Sequence, residues 1–163
     1  MAIIIVEGVD RVGKTTLCEK LEDELGYKRF RDDFRYYGNY KQKSINTEKI
    51  NTLMNLIEGG FIDNIILDRF HLTEYVYGDV ERGYENKDMF DIDTRLSKLD
   101  NVLLVYISPT DVEKSSEQHG KDLRRHERGM QRFLNKSKLQ KINIFYNDMD
   151  IAIEMIKTWR IGM

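Results

Sequence analysis

Ile3-Ile4-Ile5-Val6-Glu7-Gly8-Val9-Asp10-Arg11-Val12-Gly13-Lys14-Thr15-Thr16 is the stretch whose reading decides the fold. Its first four residues are an unbroken β-branched run, the pattern of a strand buried on both faces of a parallel sheet. Gly8 to Thr15 fits G-x-x-x-x-G-K-[ST], the phosphate-binding loop. Leu17, Cys18, Leu21 and Leu25 then recur at helical spacing, and Gly26 is placed to stop that helix with a left-handed cap. Strand, glycine loop and helix in this order form the context the motif requires.

Each residue type in the loop has a physical reason. Glycine lets the backbone wrap closely, so that the N–H groups of residues 8 to 16 (Gly8, Val9, Asp10, Arg11, Val12, Gly13, Lys14, Thr15, Thr16) can face phosphate oxygens. The N-terminus of the next helix adds partial positive charge. Lys14 supplies a full charge near the β- and γ-phosphates, and the Thr15 hydroxyl suits Mg²⁺. The loop therefore predicts a nucleotide phosphate site, with ATP and Mg²⁺ as cofactors.

The 163 residues suffice for one domain with a proper core, expected to span 1–163. Charged residues make up 33%, yet the net charge is only −2, so no strong global field recruits nucleic acid or an anionic membrane. The apolar run from Ala2 to Val6 is too short for a signal peptide, and no later run approaches a membrane span. The single cysteine, Cys18, lies on the apolar face of the first helix and reads as core. A soluble, cytoplasmic protein with no membrane partner is the expectation.

Downstream, Tyr27 to Phe30 reads as a second strand. Arg31 to Gly38 is too charged for core and dense in arginine and aromatics, which suits a solvated loop or a substrate wall. Asn46-Thr47-Glu48 opens a helix whose Ile50, Leu53, Met54, Ile57 and Phe61 share one face, closed by Gly59-Gly60. Asn64 to Leu67 is a buried strand that delivers Asp68-Arg69-Phe70-His71 at its carboxyl end, where ligands gather in open α/β sheets. A helix carrying Tyr75, Val76 and Tyr77 follows, then one with Met89, Ile92, Leu96 and Leu99. Val102 to Ile107 is the third clear buried strand.

Residues 117–128 are polar around Gly120, unlike a packed element. Met130, Phe133 and Leu134 resume a helical face, Ile142 to Phe145 is a last strand, and Ala152, Met155, Ile156 and Trp159 stripe the closing helix. The alternation predicts an α/β, three-layer P-loop NTPase fold: a parallel sheet of about five strands with helices on both faces.

Glu7-Gly8-Val9-Asp10-Arg11-Val12-Gly13-Lys14-Thr15-Thr16 resembles the E-G-[LV]-D-x-x-G-K-[ST]-T opening of thymidylate kinases. Asp68-Arg69-Phe70, with Thr73, Tyr77 and then Arg82-Gly83, is similar to their D-R-Y-x-x-S-x-x-A-Y segment and later R-G. The related deoxynucleoside kinases carry E-R-S at that place. The resemblance implies transfer of the ATP γ-phosphate to a deoxynucleoside monophosphate, chemistry that rests on positioning and positive charge. Arg69 would clamp the acceptor phosphate, and Asp68 would hold Mg²⁺ or orient Arg69. Arg11 would touch the transferring phosphoryl, Asp10 would meet the 3′-hydroxyl, and Phe70 would face the base. Tyr77, Arg82 and Arg31 complete the implied substrate wall. Residues 117–128 look like a lid, with Lys121, Arg124, Arg125 and Arg128 as its cations; Arg124 and Arg125 are the candidates for the phosphates. A homodimer is also in keeping with the family.

Two departures bear on the acceptor. Arg31-Asp32-Asp33 stands where the family has R-E-P-G-G, and residues 48–58 hold no arginine to read a base. Glu7 keeps two readings: general base for a sugar hydroxyl, as in deoxynucleoside kinases, or a residue serving Mg²⁺ water or loop geometry. A deoxynucleoside kinase, a kinase acting on nucleotides or modified bases in DNA, and a non-catalytic nucleotide switch are the alternatives. His71 adjoins Asp68-Arg69, where a helix N-terminal histidine without a role is favoured over one that reaches the acceptor.

Overall fold

Ile3, Ile4, Ile5 and Val6 have no exposed surface, as a strand covered on both edges and both faces must. The protein is described from a computed structural model, for residues 2–10, 12–31 and 41–162. β1 (Ile3–Gly8) is the middle of a five-stranded parallel sheet. Its neighbours are β3 (Ile65–Asp68) and β4 (Val102–Ser108), with β2 (Lys28–Phe30) and β5 (Lys141–Phe145) at the edges. Ile5 pairs with Leu67 on one side and Leu104 on the other. Every residue of β1, β3 and β4 is buried, whereas β2 and β5 are mostly exposed. The inner strands thus carry the core, each fully buried Ile or Leu contributing about 1.5–3 kcal/mol of transfer free energy.

The helices are α1 (Lys14–Leu25), α2 (Gln42–Glu58), α3 (His71–Arg82), α4 (Asp88–Leu96), α5 (Val112–His119), α6 (Arg124–Lys136) and α7 (Met149–Ile161). α1 lies on β1, β2 and β3 and packs against α7, while α3 lies on β1 and gathers α2, α4 and α6 around it. Cys18 is buried in α1, and burial pushes its thiol well above the usual range, so it is core rather than nucleophile. No helix among the described residues is long and apolar enough to cross a membrane.

Three local expectations change. α2 begins at Gln42 rather than Asn46, because Gln42 and Asn46 are polar yet buried, with Gln42 Nε2 donating to Asn46 Oδ1 at 3.0 Å. Phe61 falls beyond the Gly59 cap and is 81% exposed instead of sharing the apolar face. The 117–128 stretch is not uniformly solvated: it spans the end of α5 and the start of α6, and Leu123 and His126 within it are buried. His71 turns away from Arg69 into the core, where its Nε2 donates to Asp93 Oδ1 at 2.9 Å.

Candidate active site

Gly8 ends β1 and Gly13 caps α1, so the loop runs from strand end to helix start as the motif requires. Gly13 sits at φ 106°, and a Cβ there would lie 2.4 Å from the Tyr146 ring, which leaves glycine as the residue that fits. Lys14 is buried, and its Nζ donates to the Val9 carbonyl at 2.5 Å. Burial, then the nearby Arg69 guanidinium, pushes the Lys14 pKa down to about 8, with Asp10, Glu7 and Asp68 opposing. Thr15 is exposed at the first turn of α1 and Thr16 is half-buried. Arg11 lies outside the described residues.

β3 is parallel to β1 and carries its carboxyl end to the same edge, where Asp68 stands opposite Val6. Arg69 follows in a left-handed conformation, φ 73°, and its Nη2 donates to Asp10 Oδ1 at 2.9 Å. The Asp10 backbone N–H donates to Tyr77 Oη at 3.1 Å, so α3 touches the phosphate loop directly. Glu7 is fully buried and faces the start of α3, where Oε1 accepts from Phe70 N at 2.7 Å and Oε2 from Thr73 Oγ1 at 2.5 Å.

The lid candidates divide. Arg124 is exposed and held by Asp122 at 2.9 Å, and Arg125 is exposed on the same helix start. Lys121 instead turns inward: its Nζ stands 3.3 Å from Asp10 Oδ2, pairs with Glu81, and lies 5.4 Å from the centre of the Tyr77 ring. His126 Nε2 donates to the same Glu81 oxygen at 2.8 Å. The His126 hydrogen bond, aided by Lys121, pulls the Glu81 carboxyl down to about 2. Arg69, Asp10, Lys121, Glu81 and His126 form a continuous chain of polar contacts from the end of β3 to the start of α6. Glu81 was not singled out in the sequence, where its i,i+4 relation to Tyr77 on α3 is the signal that could have found it, and Lys121 stood only as one cation among several.

Arg82 joins a separate buried cluster. Its Nη1 and Asn46 Nδ2 donate to Glu74 Oε2 at 3.1 and 2.7 Å, and Tyr84 Oη donates to Oε1 at 2.7 Å. A cleft of about 570 Å³ opens beside Arg69 and Phe70, walled by Phe30 of β2 and by Ile50 and Leu53 of α2. Arg31 is exposed just beyond β2. A second recess, about 290 Å³, adjoins the phosphate loop at Val12 and is lined by Pro109, Lys114, Tyr146 and Asn147.

The residues suit Mg²⁺ held chiefly by phosphate and water. Asp68 Oδ2 is buried with no hydrogen-bond partner, 3.8 Å from Arg29 Nη1. The carboxylate also lies close enough to Lys14 to act on its charge. Among the described residues no cluster of three or more acidic, histidine or cysteine groups could hold a metal by itself. One carboxylate, one hydroxyl and substrate oxygens is the usual magnesium set.

No family model matches the sequence, and no curated protein is detectably similar to it. Solved structures do match in fold. The YorR protein of Bacillus subtilis, in complex with phosphorylated GDP, superposes with a TM-score of 0.74 at 22% identity, over 96% of this chain and 94% of that one. Deoxyadenosine kinase from M. mycoides, with products dCMP and a flexible dCDP, gives 0.61 at 15%, over 99% and 100%. Thymidylate kinase from Candida albicans gives 0.55 at 20%, over 96% and 89%. The chain has the α/β P-loop fold of thymidylate and deoxynucleoside kinases.

Proposed function

We propose that the chain is a nucleotide kinase that moves the γ-phosphoryl group of ATP to a deoxynucleoside monophosphate, with Mg²⁺. One observation carries this reading. Arg69 and Lys121, from β3 and the lid, converge on Asp10 within the phosphate loop at 2.9 and 3.3 Å. Two cations at the mouth of a phosphate loop, on opposite sides of one carboxylate, are more positive charge than holding a nucleotide needs, and they suit a second phosphate. The fold likeness to named nucleotide kinases supports the same reaction class.

In this reading the phosphate loop and Lys14 hold the ATP phosphates, and the recess at Tyr146 and Asn147 takes the donor base. Thr15 and Asp68 would hold Mg²⁺, which neutralises phosphate charge when bound. Arg69 grips the acceptor phosphate bidentately, and the cleft between Phe70 and Phe30 takes the acceptor base. An acceptor phosphate oxygen forms the new bond to the γ-phosphorus, the bond to the β,γ-bridging oxygen breaks, and ADP leaves. The ionised acceptor oxygen needs no base. Lys121, released from Asp10, is the lid cation placed to meet the transferring group, ahead of the outward Arg124 and Arg125. Arg11, in the same loop, would add to it.

The test is ATP consumption with Mg²⁺ across the four deoxynucleosides, their monophosphates and a short DNA duplex. Turnover with one monophosphate supports the reading and identifies the base. Turnover with nucleosides alone, or with DNA alone, overturns the acceptor class, and ATP binding without turnover overturns the kinase assignment.

A further inference from the structure

Arg69 and Asn64 are the non-glycine residues with positive φ among those described, and Arg69 sits in the proposed site. The next residue, Phe70, is also outside the helical and sheet regions, at φ −152° and ψ −128°. Backbone of this kind persists where its surroundings over-determine it. Here the restraint is a set of hydrogen bonds to the end of β1. Val6 O accepts from Arg69 N at 3.1 Å, and Glu7 Oε1 accepts from Phe70 N at 2.7 Å and from Thr73 N at 3.3 Å. Glu7 Oε2 accepts from the Thr73 hydroxyl at 2.5 Å. Phe70 offers no side-chain cap to α3, so a carboxylate from another strand takes that place. Its negative charge at the helix N-terminus is also favourable.

We propose that Glu7 is a positioning residue that braces the Arg69–Phe70 turn, and that it is not the proton acceptor in phosphoryl transfer. The inference rests on the kinase reading for its functional consequence and on geometry for its substance. A general base needs a lone pair within about 2.6–3.2 Å of the proton it removes, in a plausible substrate position. Glu7 is fully buried, and both of its oxygens already accept from the backbone and hydroxyl of α3. What the carboxylate does control is the turn from which the Arg69 side chain leaves for Asp10. Glu7 also immediately precedes Gly8, so the end of the strand that starts the ATP loop fixes the acceptor clamp. Donor and acceptor sites are registered to each other through one side chain.

The experiment is steady-state kinetics of Glu7→Gln and Glu7→Ala with ATP and the acceptor the wild type uses, over pH 5.5 to 9. Glutamine can still accept from Phe70 N, and the Thr73 hydroxyl can rotate to accept from the amide. We expect Glu7→Gln to lose less than about fivefold in kcat with the pH profile unchanged in shape, since position rather than basicity is at stake. Glu7→Ala should raise the acceptor KM about ten- to a hundredfold, the scale of a displaced clamp, with the ATP KM within threefold. A Gln variant as impaired as Ala, with the acid limb of the kcat profile abolished, overturns the proposal in favour of a base. So does an unchanged acceptor KM in Glu7→Ala. If the Ala variant does not fold, Thr73→Ala removes the Oε2 contact alone and should show a smaller rise confined to the acceptor KM; no rise overturns the brace. If the wild type uses no acceptor, the kinase reading fails separately, and the brace is read from hydrogen exchange. Lost protection of the Arg69 and Phe70 amides in Glu7→Ala then supports it, and unchanged protection overturns it.

Discussion

Lys14 carries the clearest pH signature. Its ammonium is buried beside Arg69, and its pKa falls from 10.5 to about 8. Phosphate oxygens favour the charged form, so nucleotide binding should be coupled to proton uptake once the free protein deprotonates. We expect the ADP affinity, measured calorimetrically at pH 7, 8.5 and 9.5, to fall by up to about tenfold per unit above pH 8. A flat profile would place the phosphates away from Lys14. For stability the sign runs the other way: between about 8 and 10.5 the unfolded chain binds the extra proton, so the Lys14 contribution to stability rises with pH across that window. Lys14→Ala should abolish turnover and remove this dependence while leaving the fold intact, as circular dichroism would report.

The elements differ in how far they could be read beforehand. β1, β3 and β4 are continuous apolar runs, and burial on both faces leaves that signature in the residues themselves. α2 could not be started correctly, because Asn46 is buried through Glu74 of α3 and Gln42 donates in turn to Asn46. Tertiary hydrogen bonds of that kind leave no period in the sequence. Residues 117–128 show the same limit: their charges were plain, but only the fold decides that Lys121 faces Asp10 while Arg124 faces Asp122. Gly13 was legible from the motif, yet its second reason, the Tyr146 ring, was not. Gly13→Ala adds both backbone strain and a clash at 2.4 Å. It should lower stability by about 1–3 kcal/mol in urea unfolding and weaken ADP binding. The double variant with Tyr146→Ala should recover part of the stability, since the ring clash is relieved while the backbone strain and the 2.6 Å approach to Met149 Cε remain.

For the whole molecule, the chain of contacts from Arg69 to His126 ties the segment between α5 and α6 to the sheet. Lys121→Ala cuts it at Asp10 and Glu81 together. In the proposed reaction kcat should drop about 10²-fold or more, the scale of losing one preorganised charge at the transition state, with the ATP KM changing far less. Comparable loss in Arg124→Ala and none in Lys121→Ala would reverse the assignment. The order β2-β3-β1-β4-β5 has a kinetic consequence as well. β1 precedes both of its sheet neighbours, β3 and β4, in the chain, and roughly a hundred residues separate its end from that of β4. At about 5–20 residues per second of synthesis, Ile3 to Val6 waits roughly 5–20 s for its second partner strand. Through that interval β1 lacks one of its two neighbours, and β3, complete at Asp68, is the strand available to it first; a holdase that shields Ile3 to Val6 should therefore raise the yield of folded protein.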